Sequence, residues 1–159
     1  GQYVNDDPVD MHGVLASSFR PGDILSIGRA GMFRSEDQGD HWNRVRIDAL
    51  NEKGQTYCRS IREAPGDSRN IWVSGGPNFM SDSGSLFHSS DGGENRRTVE
   101  TGFEAKSTIF GLAFNSRNPK NMYCATSGGQ VFGSRDGGEN WSGYPLPEGA
   151  TQLYSLACS

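Results

Sequence analysis

The segment Gln-Val-Phe-Gly-Ser-Arg-Asp-Gly-Gly-Glu-Asn-Trp at residues 130–141 has two close copies earlier in the chain. They are Gly-Met-Phe-Arg-Ser-Glu-Asp-Gln-Gly-Asp-His-Trp at 31–42 and Ser-Leu-Phe-His-Ser-Ser-Asp-Gly-Gly-Glu-Asn-Arg at 85–96. All three contain Phe-x-Ser-x-Asp-x-Gly-x-x-Trp, except that Arg96 replaces the Trp of the second copy. We call the Ser-to-Trp part a box: box 1 is 35–42, box 2 is 89–96 and box 3 is 134–141. A motif that recurs every ~40–50 residues predicts a repeat architecture.

Each box lies in a longer repeated pattern of short apolar segments and turns. Two apolar segments precede it, separated by a turn that contains Pro with Asp or Asn, such as Pro65-Gly66-Asp67. Each repeat therefore reads strand A, turn, strand B, loop, strand C, box, strand D. Four short antiparallel strands in ~40–50 residues is the period of a β-propeller blade. The sequence thus predicts an all-β fold of about three four-stranded antiparallel blades, and a further copy of strand A at 154–157 adds one strand.

The blades are expected to form a single partial β-propeller over residues 1–159. The predicted bounds are blade 1 at about 10–47, blade 2 at about 56–100, blade 3 at about 107–145 and the start of blade 4 at about 151–159. Closed propellers hold roughly four to eight blades, so the remaining blades must come from a longer parent chain or from a second copy. The extra strand A favours a piece of a parent with about six to eight blades.

The boxes are predicted to be structural turns between strands C and D. The Asp of each box accepts hydrogen bonds from the backbone of the following residues, and the Gly two positions later supplies a positive φ. One carboxylate on each distant turn is not a calcium cage, so no metal is expected. Arg96 should leave the outer turn of blade 2 less well packed. The predicted structural residues are Ser35, Asp37, Gly39, Trp42, Ser89, Asp91, Gly93, Ser134, Asp136, Gly138 and Trp141.

The three boxes resemble the Asp-boxes, or bacterial neuraminidase repeats, of several propeller families. These families are sialidases, xyloglucan-cleaving glycoside hydrolases, sortilin-type receptors and a photosystem II assembly factor family. The resemblance covers essentially residues 10–159. It implies a β-propeller, but it leaves the function open because enzymes and non-enzymes share the motif.

Candidate ligand-binding residues lie at the starts of the A strands. Aligning the four copies places His12, Arg59, Phe110 and Tyr154 at equivalent positions, and Asp10 lies two residues before His12 on the same strand face. In a propeller these strands line the central channel. Arginine offers a forked donor to a carboxylate or phosphate, and His12 with Asp10 is suited to acid–base chemistry. The loop 74–85 between strands B and C of blade 2 is long, and long loops often carry function.

The favoured function is a glycosyl-hydrolase-like propeller module that binds a carbohydrate or a protein partner on its top face. One alternative is a sialidase- or xyloglucanase-like glycoside hydrolase whose remaining catalytic residues lie on other blades. A glycosidase of the usual kind needs two carboxyl groups at a defined separation, and only Asp10 lies near the expected channel. The other alternative is an assembly or scaffold factor. No cofactor is expected.

Composition excludes several other classes of protein. The net charge is −4 and no basic stripe is present, which argues against nucleic-acid binding. No apolar stretch approaches the ~20 residues of a membrane span. Three cysteines at wide spacing, Cys58, Cys124 and Cys158, predict no disulfide framework. Unpaired cysteines and the lack of a signal sequence favour a cytoplasmic location, while the compartment itself stays unknown.

Overall fold

The computed structural model describes residues 10–47 and 56–159, and their regular structure is entirely β. The first four strands are β1 (Met11–Ala16), β2 (Ile24–Gly28), β3 (Gly31–Ser35) and β4 (Asn43–Val45). The next four are β5 (Tyr57–Ala64), β6 (Asp67–Gly76), β7 (Ser85–Ser89) and β8 (Arg97–Thr98). The last four are β9 (Ile109–Phe114), β10 (Met122–Thr126), β11 (Val131–Ser134) and β12 (Ser142–Tyr144). Within these ranges no helix is long and apolar enough to cross a membrane.

The strands form three antiparallel sheets, each a meander of four consecutive strands. The sheets β1–β4, β5–β8 and β9–β12 are blades 1, 2 and 3. In each blade the box is the turn between the third and fourth strands, as the sequence predicted. The all-β fold of four-stranded propeller blades is confirmed.

The hydrophobic core lies between the blades and not inside any one of them. Two clusters of buried side chains join neighbouring sheets face to face, as expected for sheets that bury their apolar faces against each other. The cluster between blades 1 and 2 includes Leu25, Ile27, Met32, Ile61, Ile71, Val73 and Phe87. The cluster between blades 2 and 3 includes Trp72, Leu86, Ile109, Leu112, Met122, Cys124 and Phe132.

All three boxes have the same internal hydrogen bonds. The buried Ser hydroxyl accepts the backbone N–H of the box Gly at 2.8 Å and donates to the Asp carboxylate. The same carboxylate accepts the backbone N–H four residues after the Asp at 2.9 Å. The box glycines have φ values of 104°, 88° and 94°, which only glycine adopts easily. The turn is therefore set by local bonds that the Ser-x-Asp-x-Gly order provides.

Arg96 preserves one hydrogen bond of the box in which it replaces Trp. In boxes 1 and 3 the indole N–H of the Trp donates to the carbonyl of the box Gly, at 2.9 and 3.1 Å. In box 2 the guanidinium of Arg96 donates to the equivalent carbonyl, that of Gly93. Gly92 and Gly93 are both buried against blade 1. The guanidinium supplies the donor that the indole would have supplied, while Nε of Arg96 is buried without a hydrogen-bond partner. The less well packed turn stays a prediction.

The segment 151–159 follows blade 3 but forms no strand, in contrast to the strand predicted at 154–157. It still lies where the inner strand of a next blade would lie. A Cβ on Gly111 would meet Leu156, just as a Cβ on Gly13 would meet Ile61 of the next blade. In the described ranges no second strand lies beside the segment to pair with it. Without a partner strand, extended backbone forms no ladder.

Candidate functional site

The inner strand of each blade begins with a β-bulge at the same aligned position. The pairing register shifts between Met11 and Gly13 in β1, and between Cys58 and Ser60 in β5. In β9 it shifts where Thr126 pairs with Ile109 and Ala125 with Gly111. The extra residues are therefore His12, Arg59 and Phe110. A bulge re-aims the side chain that it carries, and bulges are common next to binding sites.

These bulge residues line one cavity at the top of the blades, the end where the inner strands begin. The cavity has a volume of about 190 Å³ and is lined by residues of all three blades and of the segment after blade 3. Its lining includes His12, Arg59, Arg62, Phe110 and Tyr154. Three of the four residues singled out from the sequence thus meet at one cavity, and Asp10 adjoins it through His12.

His12 is held from two sides. Its Nδ1 lies 2.6 Å from the carbonyl oxygen of Cys58, and since a carbonyl only accepts, Nδ1 carries the proton. Its Nε2 lies 3.2 Å from Oδ2 of Asp10, although the geometry is not that of a hydrogen bond. The imidazole is almost fully buried, whereas the Asp10 carboxylate is more than half exposed. The ring is therefore fixed in place with Nε2 directed toward the single carboxylate of this group.

Arg59 is positioned by an aromatic ring. Its guanidinium carbon lies 4.9 Å from the centre of the Phe110 ring, so that blade 2 supplies the cation and blade 3 supplies the π face. Arg59 is half-buried, and Arg62 on the same strand also lines the cavity. A guanidinium over an aromatic face keeps its N–H donors free at its edge, where they fit a carboxylate or a phosphate. The cavity lining thus includes a positive group that packs against Phe110.

A cluster of aromatic rings surrounds Arg59, and the sequence analysis did not predict it. Tyr57 lies 4.7 Å from the His12 ring, 6.0 Å from Phe79 and 6.2 Å from Phe110. Phe110 in turn lies 5.6 Å from Phe79 and 6.4 Å from Tyr154. Burial raises the pKa of the Tyr57 hydroxyl, which therefore stays neutral. The long loop and the inner-strand alignment both pointed to this end, but no local pattern showed that the rings meet.

Acidic and thiol groups near the cavity are few among the described residues. No carboxylate lines the cavity itself, and Asp10 is the nearest acid among the groups described above. Among the described residues, no group of three or more His, Cys, Asp or Glu side chains is arranged to hold a metal. Burial raises the pKa of the Cys58 thiol to about 12 and raises that of Cys124 as well, so neither is a nucleophile.

A larger cavity of about 340 Å³ lies elsewhere, between the outer strands of blade 1 and Thr56. Its lining is formed mostly by Met32, Val45 and Ile47 with two arginine side chains, Arg44 and Arg46. It borders the residues outside the described ranges, and its described lining comes from blade 1 and Thr56 alone. The cavity at the top of the blades is the better candidate because all three blades contribute side chains to it.

Comparison with known proteins identifies the fold. No protein-family model and no curated protein sequence matches the chain. Among solved structures, an ancestral GH74 enzyme superposes with a TM-score of 0.70 at 18% identity, covering 87% of this chain and 19% of that one. YCF48 bound to D1 peptide gives 0.65 at 14% identity, covering 93% and 43%. The GH74 xyloglucanase from Xanthomonas campestris gives 0.65 at 16% identity, covering 88% and 22%.

The chain spans less than half of the length of each of these structures. At such low identity the likeness is one of fold, and function has to be argued from the site. The similar structures include both glycoside hydrolases and a peptide-bound protein. The described chain is accordingly a set of β-propeller blades, similar to those of both kinds of protein.

Proposed function

We propose that this chain is a binding module whose top-face cavity takes an extended protein segment that carries a carboxylate. The observation behind the proposal is the repeated bulge, which sends one side chain from each blade toward a common cavity. The three inner strands differ in sequence at the bulge, yet each of them has one there. Such irregularities are costly to a regular ladder and are found mainly where a side chain has to be re-aimed.

A carboxylate is the group that best fits Arg59. The guanidinium is stacked on Phe110 and half-buried, which strengthens its charge-assisted hydrogen bonds relative to those of an exposed arginine. Arg62 adds a second positive charge to the lining, and no acid in the lining neutralises the pair. The similar structure of YCF48 was solved with a bound peptide, which supports a protein segment as the ligand.

A glycoside hydrolase is the second candidate, because the GH74 structures share the fold and aromatic rings also stack on sugars. Both standard mechanisms need two carboxyl groups that flank the scissile bond. The cavity lining contains no acid: Asp10 adjoins it at His12, and Asp82 lies in the loop between β6 and β7. A glycosidase would need two such acids on either side of the bond, whereas binding of a carboxylate needs only the arginines of the lining. An assembly factor is a binding module in the same sense.

The test is selection of random hexapeptides displayed on beads against the purified chain, with a neutral and an acidic oligosaccharide array in parallel. The proposal expects enriched peptides that contain Asp, Glu or a free C-terminal carboxylate. The substitution Arg59→Ala should weaken binding of such a peptide by about 10- to 100-fold, since it removes a charge-assisted hydrogen bond. Added salt should also weaken the wild-type complex.

The matched control is Arg69→Ala, which removes an exposed arginine from the start of β6, at the opposite end of blade 2. It should leave peptide binding unchanged. Selection of peptides without any carboxylate, or equal losses from Arg59→Ala and Arg69→Ala, would contradict the proposal. Binding confined to the oligosaccharide arrays would support the glycosidase alternative instead.

A further inference from the structure

The loop between β6 and β7 lies beside the cavity and presents two large apolar side chains. Phe79 is 52% exposed and Met80 is 85% exposed, although both are hydrophobic. The Phe79 ring lies 5.6 Å from Phe110, the same ring on which Arg59 stacks. Burial of this apolar pair would have been favourable, so its exposure beside a positive group marks a candidate contact surface.

The loop is anchored to blade 3 by one buried hydroxyl. Thr108 is fully buried, and its Oγ1 donates to the carbonyl of Asn78 at 2.6 Å. The same oxygen lies 2.8 Å from the hydroxyl of Ser81, which donates to the carbonyl of Ser83 at 2.6 Å. Phe79 therefore sits between two anchored positions. We call residues 77–84 with this anchor the latched loop.

Glycines at both ends of the latched loop allow its close approach to blade 3. A Cβ on Gly76 would lie 2.8 Å from Oγ1 of Thr108, and a Cβ on Gly84 would lie 2.6 Å from the carbonyl oxygen of Ser107. Only residues without a side chain can lie so close to another backbone. The loop thus packs closely on blade 3, and an ordered contact surface lowers the entropy cost of binding.

We propose that the latched loop forms an apolar subsite for a hydrophobic side chain of the bound segment, next to the carboxylate held by Arg59. Phe79 is the contact residue of this subsite, and Thr108 is its positioning residue. Both the guanidinium and the Phe79 ring lie beside Phe110, and an extended peptide advances only ~3.3–3.6 Å per residue. The acidic group and the apolar side chain therefore belong to adjacent or nearly adjacent residues. This proposal rests on the proposed function.

The experiment uses an acidic hexapeptide enriched on the wild-type chain, together with two altered versions of it. One version replaces the apolar residue beside the acid with Ala, and the other replaces Asp or Glu with its amide. We expect the Ala version to bind the wild-type chain about tenfold more weakly, the loss for one partly buried apolar side chain. On Phe79→Ala the original and the Ala version should bind equally. On Arg59→Ala the acid and amide versions should bind equally instead.

The latch is tested by Thr108→Val and Thr108→Ser. Valine has nearly the shape of threonine but no hydroxyl. On Thr108→Val the difference in affinity between the original peptide and its Ala version should therefore become smaller. Amide hydrogen exchange in residues 77–84 should become faster at the same time. Serine keeps the hydroxyl and should restore both properties. The control Phe19→Ala removes an exposed ring from the opposite end of blade 1 and should change neither.

The outcomes separate this inference from the proposed function. Selected peptides that depend on Arg59 but lose nothing on Phe79→Ala would overturn the apolar subsite and leave the carboxylate site standing. Unchanged exchange in Thr108→Val would overturn the latch. Failure to select any acidic peptide would overturn both proposals. If oligosaccharides bind and lose affinity on Phe79→Ala, the apolar subsite binds a sugar ring and the proposed protein segment is wrong.

Discussion

Box 1 and box 3 form the same turn in different surroundings. In both, the Ser hydroxyl accepts the N–H of the box Gly at 2.8 Å, and the Asp accepts the N–H four residues on at 2.9 Å. Box 3 belongs to blade 3 and packs against blade 2. A Cβ on Gly138 would contact the indole of Trp72, and the Trp141 ring lies 5.7 Å from the Phe103 ring. In box 1 the nearest atoms to a Cβ on Gly39 belong to its own blade, at 3.9 Å.

The difference shows that the box motif and the blade interface are separate contributions. The turn needs no neighbouring blade, because its hydrogen bonds stay within its own blade. Most join residues no more than four positions apart, and one longer bond joins the N–H of Gln38 in box 1 to the carbonyl of Gly22 at 3.0 Å. Burial of the tryptophan does depend on a neighbour: Trp42 is 41% exposed, while Trp141 is half-buried. Among the described residues, no blade lies on that side of blade 1.

The largest contrast should come from replacing the two box glycines with alanine. Gly39→Ala adds only the cost of a positive φ, about 1–3 kcal/mol. Gly138→Ala adds that cost and also forces a methyl group into the Trp72 ring, which should cost a further ~1–3 kcal/mol. Urea unfolding of both variants measures the difference. Equal losses of unfolding free energy in the two variants would mean that the Trp72 side chain moves aside for the new methyl group at little cost.

Removing the box serines should have nearly equal effects in the two boxes. Ser35 and Ser134 are both buried, and each satisfies the N–H of its box Gly and one Asp oxygen. Ser→Ala at either position leaves a backbone N–H without its partner and should cost about 1–3 kcal/mol. Urea unfolding checks this too. A loss in Ser134→Ala alone would show that the turn depends on the adjacent blade after all.

The box carboxylates should make stability depend on acid pH. Hydrogen bonds from the backbone N–H of His41 and Asn140 lead the causes that lower the pKa of Asp37 and Asp136 to about 2, against an ordinary 3.8. A lowered pKa in the folded state gives stability that is present above about 4 and is lost as the pH falls toward about 2. Both groups are exposed, so the effect is small. Comparing urea midpoints of wild type and the double variant Asp37→Asn, Asp136→Asn at pH 5 and pH 3 isolates it; a parallel decline in both proteins would count against this origin.

Sequence reasoning reached the blades because their information is local and repeated. The constant spacing of the Phe, Asp and Trp positions located the hairpin between the third and fourth strands of each blade. Alignment of the A strands predicted that His12, Arg59 and Tyr154 lie together. The three do line one cavity, while ligand binding there stays a prediction.

The bulges and the aromatic cluster were out of reach for a physical reason. A bulge is a property of two paired strands, and residue order in one strand does not reveal it. Phe79 reaches the site through a bond between Thr108 and Asn78, thirty residues apart in the chain. The absence of a strand at 154–157 likewise depends on what lies beside the segment, since its sequence alone has the inner-strand pattern.

The smallest expected effect concerns the residue before the box glycine. Gln38 has a φ of 63°, whereas the equivalent Gly137 has 81°, and it is the sole non-glycine residue with positive φ in the described ranges. Gln38→Gly should relieve ~1 kcal/mol of left-handed strain but increase the flexibility of the unfolded chain, for a net gain of about 0.5 kcal/mol. Gly137→Gln should lose a similar amount, because a Cβ there meets nothing within 4 Å. Urea unfolding of both variants tests whether the two boxes differ only in backbone strain. The Cγ of Gln38 lies 3.9 Å from a Cβ built on Gly22. A loss of stability in Gln38→Gly would therefore mean that packing of the Gln38 side chain outweighs its backbone strain.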